Sequence, residues 1–288
     1  MNCDVMLVDL SNYFYASFFV TQNDPNQRTT EDKNAYWKYL LMSMILGVKN
    51  KYKPKEVVLC IDSKNTWRKD EFKYYKARRV LKKEKDNTDW DSFYKTADSF
   101  LNEIEKHFPF KIIKVDKTEA DDIIAILVEE LIGKQIVIVS RDKDFCQLLR
   151  YDNVKIHNPI DGELVTCEIN PGSFLSLHLL KGDSGDDIPN LLSDDNVFVN
   201  SDKRQKRITQ KLIDEVLSEG IEKFVIKNQL IDNYERNRKL ITLSSEFIPE
   251  NIVTDIKYKY HITKSKGDFE TMLAYLTKNN MPSLIDQL

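Results

Sequence analysis

Three short apolar runs, each leading to an aspartate, constrain the fold of this chain more than any other feature of its sequence. Residues 5–8 directly precede Asp9, and residues 57–61 directly precede Asp62. Residues 136–139 are separated from Asp142 by two residues. Continuous runs of β-branched residues this short are typical of strands buried on both faces of a parallel sheet. A fourth run, at 110–115, predicts a further strand.

Helical patterns lie between these runs, at 35–49, 90–107 and 119–132. Alternating strands and helices predict an α/β fold with a mostly parallel central sheet flanked by helices. After the 160s the strand pattern gives way to helical segments, at 174–181, 208–217, 224–243 and 269–277. We therefore predict an α/β domain at 1–168 and a helical C-terminal lobe at 169–288.

The carboxyl ends of parallel strands meet at one edge of a sheet, which is where ligands bind in such folds. Asp9, Asp62 and Asp142 are therefore expected to converge. Further acids are predicted to reach the same edge, either just after Asp142 or in the first turn of the helix that follows the fourth strand: Asp144, Glu119, Asp121 and Asp122.

A single acid after a strand is more often a turn residue or a helix N-cap than a ligand. Five or six carboxylates at one edge repel one another unless a cation neutralises them. Ligation by oxygen alone favours Mg²⁺ or Mn²⁺. Two such ions would suit hydrolysis of a phosphodiester, because they can clamp the attacking and the leaving oxygens.

The overall charge of −3 and the pI of about 5.9 do not favour a nucleic-acid binder. The net charge hides an uneven distribution of charge along the chain, since residues 67–85 contain nine basic and three acidic residues. Such a run is usually a solvated face. Here it follows the strand that leads to Asp62, so it rises beside the acids and suits a phosphate-bearing substrate. Tyr74 and Tyr75 either stack on bases or pack in the core.

The sequence predicts a monomeric cytoplasmic protein. Its four cysteines form no C-x-x-C pair and are expected to be reduced. The N-terminal residues lack the pattern of a signal peptide, and no apolar stretch approaches the length of a membrane span.

Six short blocks occur in the order found in one nuclease family. They cover residues 8–11, 60–62, 74–79, 119–122, 140–145 and 181–188. On these blocks the sequence resembles the flap endonuclease and 5′→3′ exonuclease family, and within it the T-even phage ribonuclease H branch, from about residue 4 to 260. The resemblance implies a PIN-like 5′-nuclease fold with a helical arch at about 67–95.

The resemblance also implies a role for each acid. Two Mg²⁺ ions are expected, with Mn²⁺ as a substitute. The first would be held by Asp9, Asp62, Glu119, Asp121 and Asp142. The second would be held by Asp144, Asp183 and Asp186, with Asp142 between the two sites.

Lys76 is similar to the active-site lysine of the family, and Arg79 to its partner at the base of the arch. The turn at 181–188 would belong to a helix-hairpin-helix-like element that grips duplex backbone. Residues 190–195 stand where many members have a Gly-rich hairpin that holds a monovalent cation. The basic cluster at 203–207 either takes over the duplex grip or is a solvated loop. The residues predicted to contact nucleic acid are Arg68, Lys69, Lys73, Tyr75, Lys76, Arg79, Lys181, Lys203, Arg204, Lys206 and Arg207.

The implied activity is that of a 5′→3′ exonuclease and structure-specific flap endonuclease acting on RNA primers and adjacent DNA in lagging-strand replication. Branched or primer-bearing DNA and RNA–DNA duplex are the implied substrates. The spaced apolar residues at 281–288 either dock a sliding clamp or single-strand DNA-binding protein, or cap the core, which is the favoured reading. Two alternatives remain: a non-catalytic structure-specific DNA-binding protein and a single-strand ribonuclease of related PIN-like fold.

Overall fold

A five-stranded parallel sheet forms the centre of the computed structural model, which describes residues 3–22, 29–84 and 88–288. The strand order is β3-β2-β1-β4-β5. The strands are β1 Val5–Asp9, β2 Glu56–Cys60, β3 Lys111–Ile113, β4 Ile136–Val139 and β5 Val154–His157. The predicted α/β class and its four strands are confirmed, and the edge strand β5 is an addition.

The register of the sheet brings the strand ends level. Asp9 pairs with Cys60 of β2, and Val8 pairs with Val139 of β4. The residues that follow β2 and β4 therefore leave the sheet beside Asp9. Along β1, Met6 faces one side of the sheet and Leu7 the other, so both faces are buried as the continuous apolar run predicted.

Helices surround the sheet and complete the chain. In order they are α1 Leu10–Gln22, α2 Thr30–Tyr52, α3 Trp67–Glu71, α4 Ala77–Glu84, α5 Trp90–His107, α6 Ala120–Glu130, α7 Pro171–Lys181, α8 Gln210–Glu219, α9 Ile221–Lys227, α10 Ile231–Ile241, α11 Glu250–Ile262, α12 Phe269–Lys278 and α13 Pro282–Ile285. A 3₁₀ helix, Lys143–Arg150, follows β4. The segment expected to be one helix at 224–243 is two, α9 and α10, with Gln229 at φ 56 between them.

The described part of the chain has three apolar clusters. Helices α1, α2 and α5 cover one face of the sheet, and α6 covers the other. Helices α7 to α10 form a separate cluster that also takes in Phe72 and Tyr75 from the basic segment. This last cluster contains helices that the sequence assigned to the C-terminal lobe, and the predicted arch contributes residues to it.

The end of the chain does not belong to that lobe, which corrects the prediction of a single unit at 169–288. Ile256 of α11 packs with α6, and Leu276 of α12 packs with α5. Leu284 of α13 is fully buried against the same core. The apolar faces of these helices match the sheet domain, so they return to it, and the tail caps the core.

Among the described helices, none combines the length and the apolar character that a membrane span requires.

Candidate active site

Asp9 closes β1 at the centre of the site and is 7% exposed. One of its carboxylate oxygens accepts a hydrogen bond from the Ser140 hydroxyl at 2.9 Å, and the other accepts from the Asn12 amide at 3.3 Å. The same Ser140 oxygen accepts from the Asp142 amide at 3.0 Å. Ser140 therefore ties the end of β1 to the acid that follows β4.

Asp62 connects the end of β2 to the start of α6. Its carboxylate accepts a hydrogen bond from the Ala120 amide at 2.8 Å, and its own amide donates to the Ser11 hydroxyl at 2.8 Å. Ala120 is the first residue of α6, so Glu119 and Asp121 are brought to the same edge. The structure thus assembles the first predicted group of acids.

Burial and mutual repulsion perturb these acids strongly. Desolvation raises the pKa of Asp9 to about 7, and the nearby charges of Asp62 and Asp142 act in the same direction. Desolvation likewise raises the pKa of Asp62, and it raises the pKa of Asp121 well above its ordinary value. Carboxylates in such a setting ionise together only when positive charge compensates them.

Glu119 behaves in the opposite way because two cations contact it. Burial alone would raise its pKa, but Lys76 and Arg68 outweigh that effect and lower the pKa to about 2. Arg68 lies 3.1 Å from one carboxylate oxygen, and the Tyr75 hydroxyl donates to the same oxygen at 2.8 Å. Lys76 forms an ion pair with the other oxygen. Glu119 is thus ionised and fixed in position.

A second group of ligand atoms lies beside the first, formed by Asp144, His178 and Asp183. One atom from each residue lies within 4.8 Å of the others. Desolvation raises the pKa of Asp144 well above its ordinary value, with repulsion from Asp142 adding to the effect, and desolvation also raises the pKa of Asp183. His178 was not predicted, because a lone histidine on an amphipathic helix carries no sequence signal. Burial lowers the pKa of its imidazole.

The N-terminal end of α4 docks on the turn that carries Asp183 and Asp186. The Lys76 amide donates to the Asp186 carbonyl at 2.9 Å, and the Arg79 guanidinium contacts the Asp186 carboxylate at 2.5 Å. The Tyr75 hydroxyl lies 2.9 Å from that carboxylate and also contacts Glu119. Lys76 and Tyr75 therefore join the two groups of acids.

Lys76 has a left-handed backbone conformation, with φ at 54°. This conformation is unfavourable for a lysine, and strained residues of this kind cluster at functional sites. Its ammonium lies 3.4 Å from Asp186 while it is paired with Glu119, and these two acids raise its pKa in spite of desolvation. The predicted active-site lysine is therefore a fixed cation between the two acid groups.

Two residues predicted to contact nucleic acid are instead buried, and this part of the prediction is corrected. Arg68 is 1% exposed and lies 2.8 Å from the carboxylate of Asp122, while its Nε donates to the Leu240 carbonyl at 2.8 Å. Tyr75 is 3% exposed, so its ring packs in the core. Both belong to a segment rich in basic residues, which suggested a surface position. Arg68 is buried because α3 turns this side inward, and Tyr75 is buried because it packs against the cluster formed by α7 to α10.

Apart from the half-buried Lys76, the remaining predicted contacts lie on the surface. Lys69, Lys73, Lys181 and Arg79 are exposed, as is the cluster at 203–207 apart from the half-buried Gln205. The Asn190 side chain donates to the Lys206 carbonyl at 2.7 Å, which fastens that cluster beside the turn at 183–188. The backbone of the basic cluster therefore lies next to the residues that follow the turn.

The described part of the arch is held at both ends. At its second end, the Lys83 ammonium lies within 6 Å of three ring centroids, those of Tyr15, Trp90 and Tyr94. It donates a hydrogen bond to the Tyr94 hydroxyl at 2.7 Å. The predicted arch at about 67–95 includes residues 85–87, which lie outside the described residues. Lys85, one of the nine basic residues counted at 67–85, is among them.

The acids fit divalent cations that prefer oxygen. One atom each from Glu119, Asp121 and Asp122 lies within 4.8 Å of the others, and desolvation raises the pKa of the half-buried Asp121. Oxygen donors of this kind and density match Mg²⁺ or Mn²⁺. Asp122 is instead paired with Arg68 and accepts from the Trp67 indole at 3.1 Å, so its role is to hold α3.

Comparison with known proteins agrees with this geometry. A family model described as the 5′–3′ exonuclease N-terminal resolvase-like domain matches residues 4–172. Ribonuclease H of Enterobacteria phage T4 is 31% identical over 217 residues, which are 73% of this chain and 70% of that protein. A 5′–3′ exonuclease of Buchnera aphidicola subsp. Schizaphis graminum is 33% identical over 64% of each chain.

Solved structures show the same fold at lower identity. The T5 5′-exonuclease with bound zinc has a TM-score of 0.65 at 18% identity and covers 90% of this chain and 99% of its own. A T5 flap endonuclease structure with DNA and metal ions has a TM-score of 0.64, also at 18% identity, and covers 90% of this chain and 98% of its own. With a strand-end acid cluster, a fixed lysine between its two halves and a family model matching more than half of its length, the chain belongs to the 5′–3′ exonuclease and flap endonuclease family.

Proposed function

We propose that this chain is a Mg²⁺-dependent 5′-nuclease that removes RNA primers and adjacent DNA, both as a 5′→3′ exonuclease and at flaps. The observation that carries the proposal is the convergence of the acids at one edge of the sheet, directly beside Lys76 and Arg79. The named activity of the phage T4 relative supports RNA within the substrate.

Two groups of residues would hold the ions. Asp9, Asp62, Asp121 and Asp142 would hold the first, with Glu119 at its border. Asp144, Asp183 and Asp186 would hold the second. When bound, Mg²⁺ would activate the attacking water and neutralise charge on the leaving 3′ oxygen.

Lys76 would stabilise the charge that develops on the scissile phosphate. Its ammonium is already fixed between Glu119 and Asp186, so little reorganisation is needed when a phosphate oxygen arrives. Arg79 is more exposed and holds the Asp186 carboxylate, and it would contact the next phosphate. The pair would position the 5′ strand over the acids.

Exposed cations away from the acids would bind the duplex. Contacts between such cations and the phosphate backbone of the nucleic acid position the substrate without reading its sequence. Lys181 ends α7 just before the turn at 183–188, and the cluster at 203–207 lies beside the residues that follow this turn. Lys69 and Lys73 are exposed on the arch side of the site. Together these cations would make binding depend steeply on salt concentration.

Cleavage of a duplex with a 5′-labelled, RNA-primed flap tests the proposal. We expect short 5′-labelled fragments in Mg²⁺ or Mn²⁺ and none in EDTA. A matched duplex in which the flap carries its label at an internal position reports whether cutting begins at the 5′ end or at the junction. Tight binding of the flap with no cleavage in either metal would contradict the proposal and favour a non-catalytic binding protein.

A further inference from the structure

A histidine lies within the group of acids assigned to the second ion. His178 is on α7, and its Nδ1 lies 3.5 Å from a carboxylate oxygen of Asp144. Its Nε2 lies 3.9 Å from a carboxylate oxygen of Asp183. Both separations are too long for hydrogen bonds. Within the described residues, Nδ1 is buried and has no hydrogen-bond partner.

A cation can bind only one ring nitrogen of His178, so the group is judged by one donor atom from each residue. Donor atoms about 2.1 Å from an ion lie roughly 3 to 4 Å from one another around it. The Asp144 and Asp183 oxygens and the imidazole nitrogen fall within 4.8 Å of each other. A structural neutral histidine at this place would instead be expected to donate its N–H to one of the two carboxylates.

The surroundings hold each donor in place. Phe174, one helical turn before His178, contacts its ring edge-on, with centroids 6.0 Å apart. One oxygen of Asp183 accepts from the Gly185 amide at 2.7 Å and the Asp186 amide at 3.2 Å, which leaves the other oxygen facing His178. Asp144 lies on the 3₁₀ helix against which α7 packs. The group therefore has a fixed geometry supplied by three segments.

We propose that His178 binds the second ion together with Asp144 and Asp183, so that this site prefers Mn²⁺ over Mg²⁺. Imidazole is a good donor for divalent transition metals and a poor one for Mg²⁺, whereas carboxylates suit both. The first site contains only oxygen donors and keeps its preference for Mg²⁺. This inference rests on the proposed function, because it assigns a donor to a site that the nuclease reaction needs.

Pulsed electron paramagnetic resonance of Mn²⁺ bound to the whole chain tests the proposal directly. We expect a ¹⁴N coupling from a directly bound imidazole, converted to a ¹⁵N coupling when the chain is made with ¹⁵N-histidine. The isotope exchange needs no variant, so it does not depend on the folding of a mutant. Two bound Mn²⁺ ions without any histidine coupling would overturn the proposal.

A pair of variants gives an independent measure. We expect His178→Asn to weaken the second Mn²⁺ binding step by about tenfold or more and to abolish the coupling, while Mg²⁺ binding changes less than about threefold. His261→Asn is the matched control, because His261 is exposed and pairs with Glu130 away from the site. Equal loss of Mn²⁺ and Mg²⁺ binding in His178→Asn would show a structural role instead.

The outcome is separable from that of the nuclease assay. A chain that cuts flaps in Mg²⁺ but shows no histidine coupling would retain the proposed function and lose this inference. A chain that shows the coupling but cuts no flap would retain the metal site and lose the proposed function.

Discussion

Replacing Arg68 with methionine tests whether this residue holds the site together or meets nucleic acid. The guanidinium is buried, contacts Glu119 at 3.1 Å and Asp122 at 2.8 Å, and donates to the Leu240 carbonyl at 2.8 Å. Removing one partner of a buried ion pair typically costs about 3–5 kcal/mol, because the other charge stays buried. Methionine keeps most of the apolar stem, so lost packing adds little.

The loss should lie near the lower end of that range. Glu119 keeps Lys76 as a counter-ion, and Asp122 keeps the Trp67 indole and can also take up a proton. We therefore expect Arg68→Met to lower the free energy of unfolding by about 3 kcal/mol. In a chain of this size that corresponds to a fall in Tm of roughly 6–12 °C.

Urea denaturation followed by circular dichroism measures this loss, with Lys69→Met as the control. Lys69 is the exposed neighbour in the same helix, so its replacement should change stability by less than about 0.5 kcal/mol. Adding Asp122→Asn to Arg68→Met should recover at least about 1 kcal/mol, since the orphaned charge is gone. A stability loss below about 1 kcal/mol, with DNA affinity reduced as in Lys69→Met, would refute the structural role.

Three further predictions follow from the site. In EDTA, Asp9 has a folded pKa of about 7 against an ordinary value near 3.8, so stability should fall as pH rises from 5 to 7, by about 2 kcal/mol more in the wild type than in Asp9→Asn; parallel slopes in urea titrations would contradict this. Saturating Mg²⁺ should remove the difference in slope. Gly182→Ala should destabilise the protein by at least about 2 kcal/mol more than Gly162→Ala. Both glycines have positive φ, but only at Gly182 would a Cβ meet backbone, at 2.4 Å from the Ile188 carbonyl oxygen. Equal losses in the same urea titrations would show that this clash is not the cause. Lys76→Ala should reduce the rate of single-turnover cleavage by about 10²–10³-fold and the affinity for the flap by less than tenfold. Equal losses of rate and affinity would mean that Lys76 only anchors a phosphate.

The sheet could be predicted because three of its strands, β1, β2 and β4, lie in continuous apolar runs that each lead to an acid. The edge strand β5 was missed because a lysine interrupts it and polar residues flank it on both sides. Helix α1 was missed because aromatic and apolar residues occur all around it, so no helical period stands out. Helix α11 alternates charged and apolar residues, and its burial follows from packing against α6, which the local sequence does not show.

The acids could be predicted from position alone, because strand ends in a parallel sheet must converge. The burial of Arg68 could not, because a charge run in sequence carries no information on which side of α3 turns inward. His178 was beyond sequence reasoning for a related reason. Only the packing of α7 on the 3₁₀ helix places its ring beside Asp144.

The central claim is that the acids at the sheet edge carry out hydrolysis and are not needed to bind substrate. Single-turnover cleavage and equilibrium binding of the same RNA-primed flap in Mg²⁺ test it, with Asp142→Asn compared against Asp152→Asn. Both aspartates are exposed, but only Asp142 is tied through Ser140 to Asp9. We predict that Asp142→Asn abolishes cleavage and binds the flap within about threefold of the wild type, while Asp152→Asn retains both. Undiminished cleavage by Asp142→Asn would contradict the account.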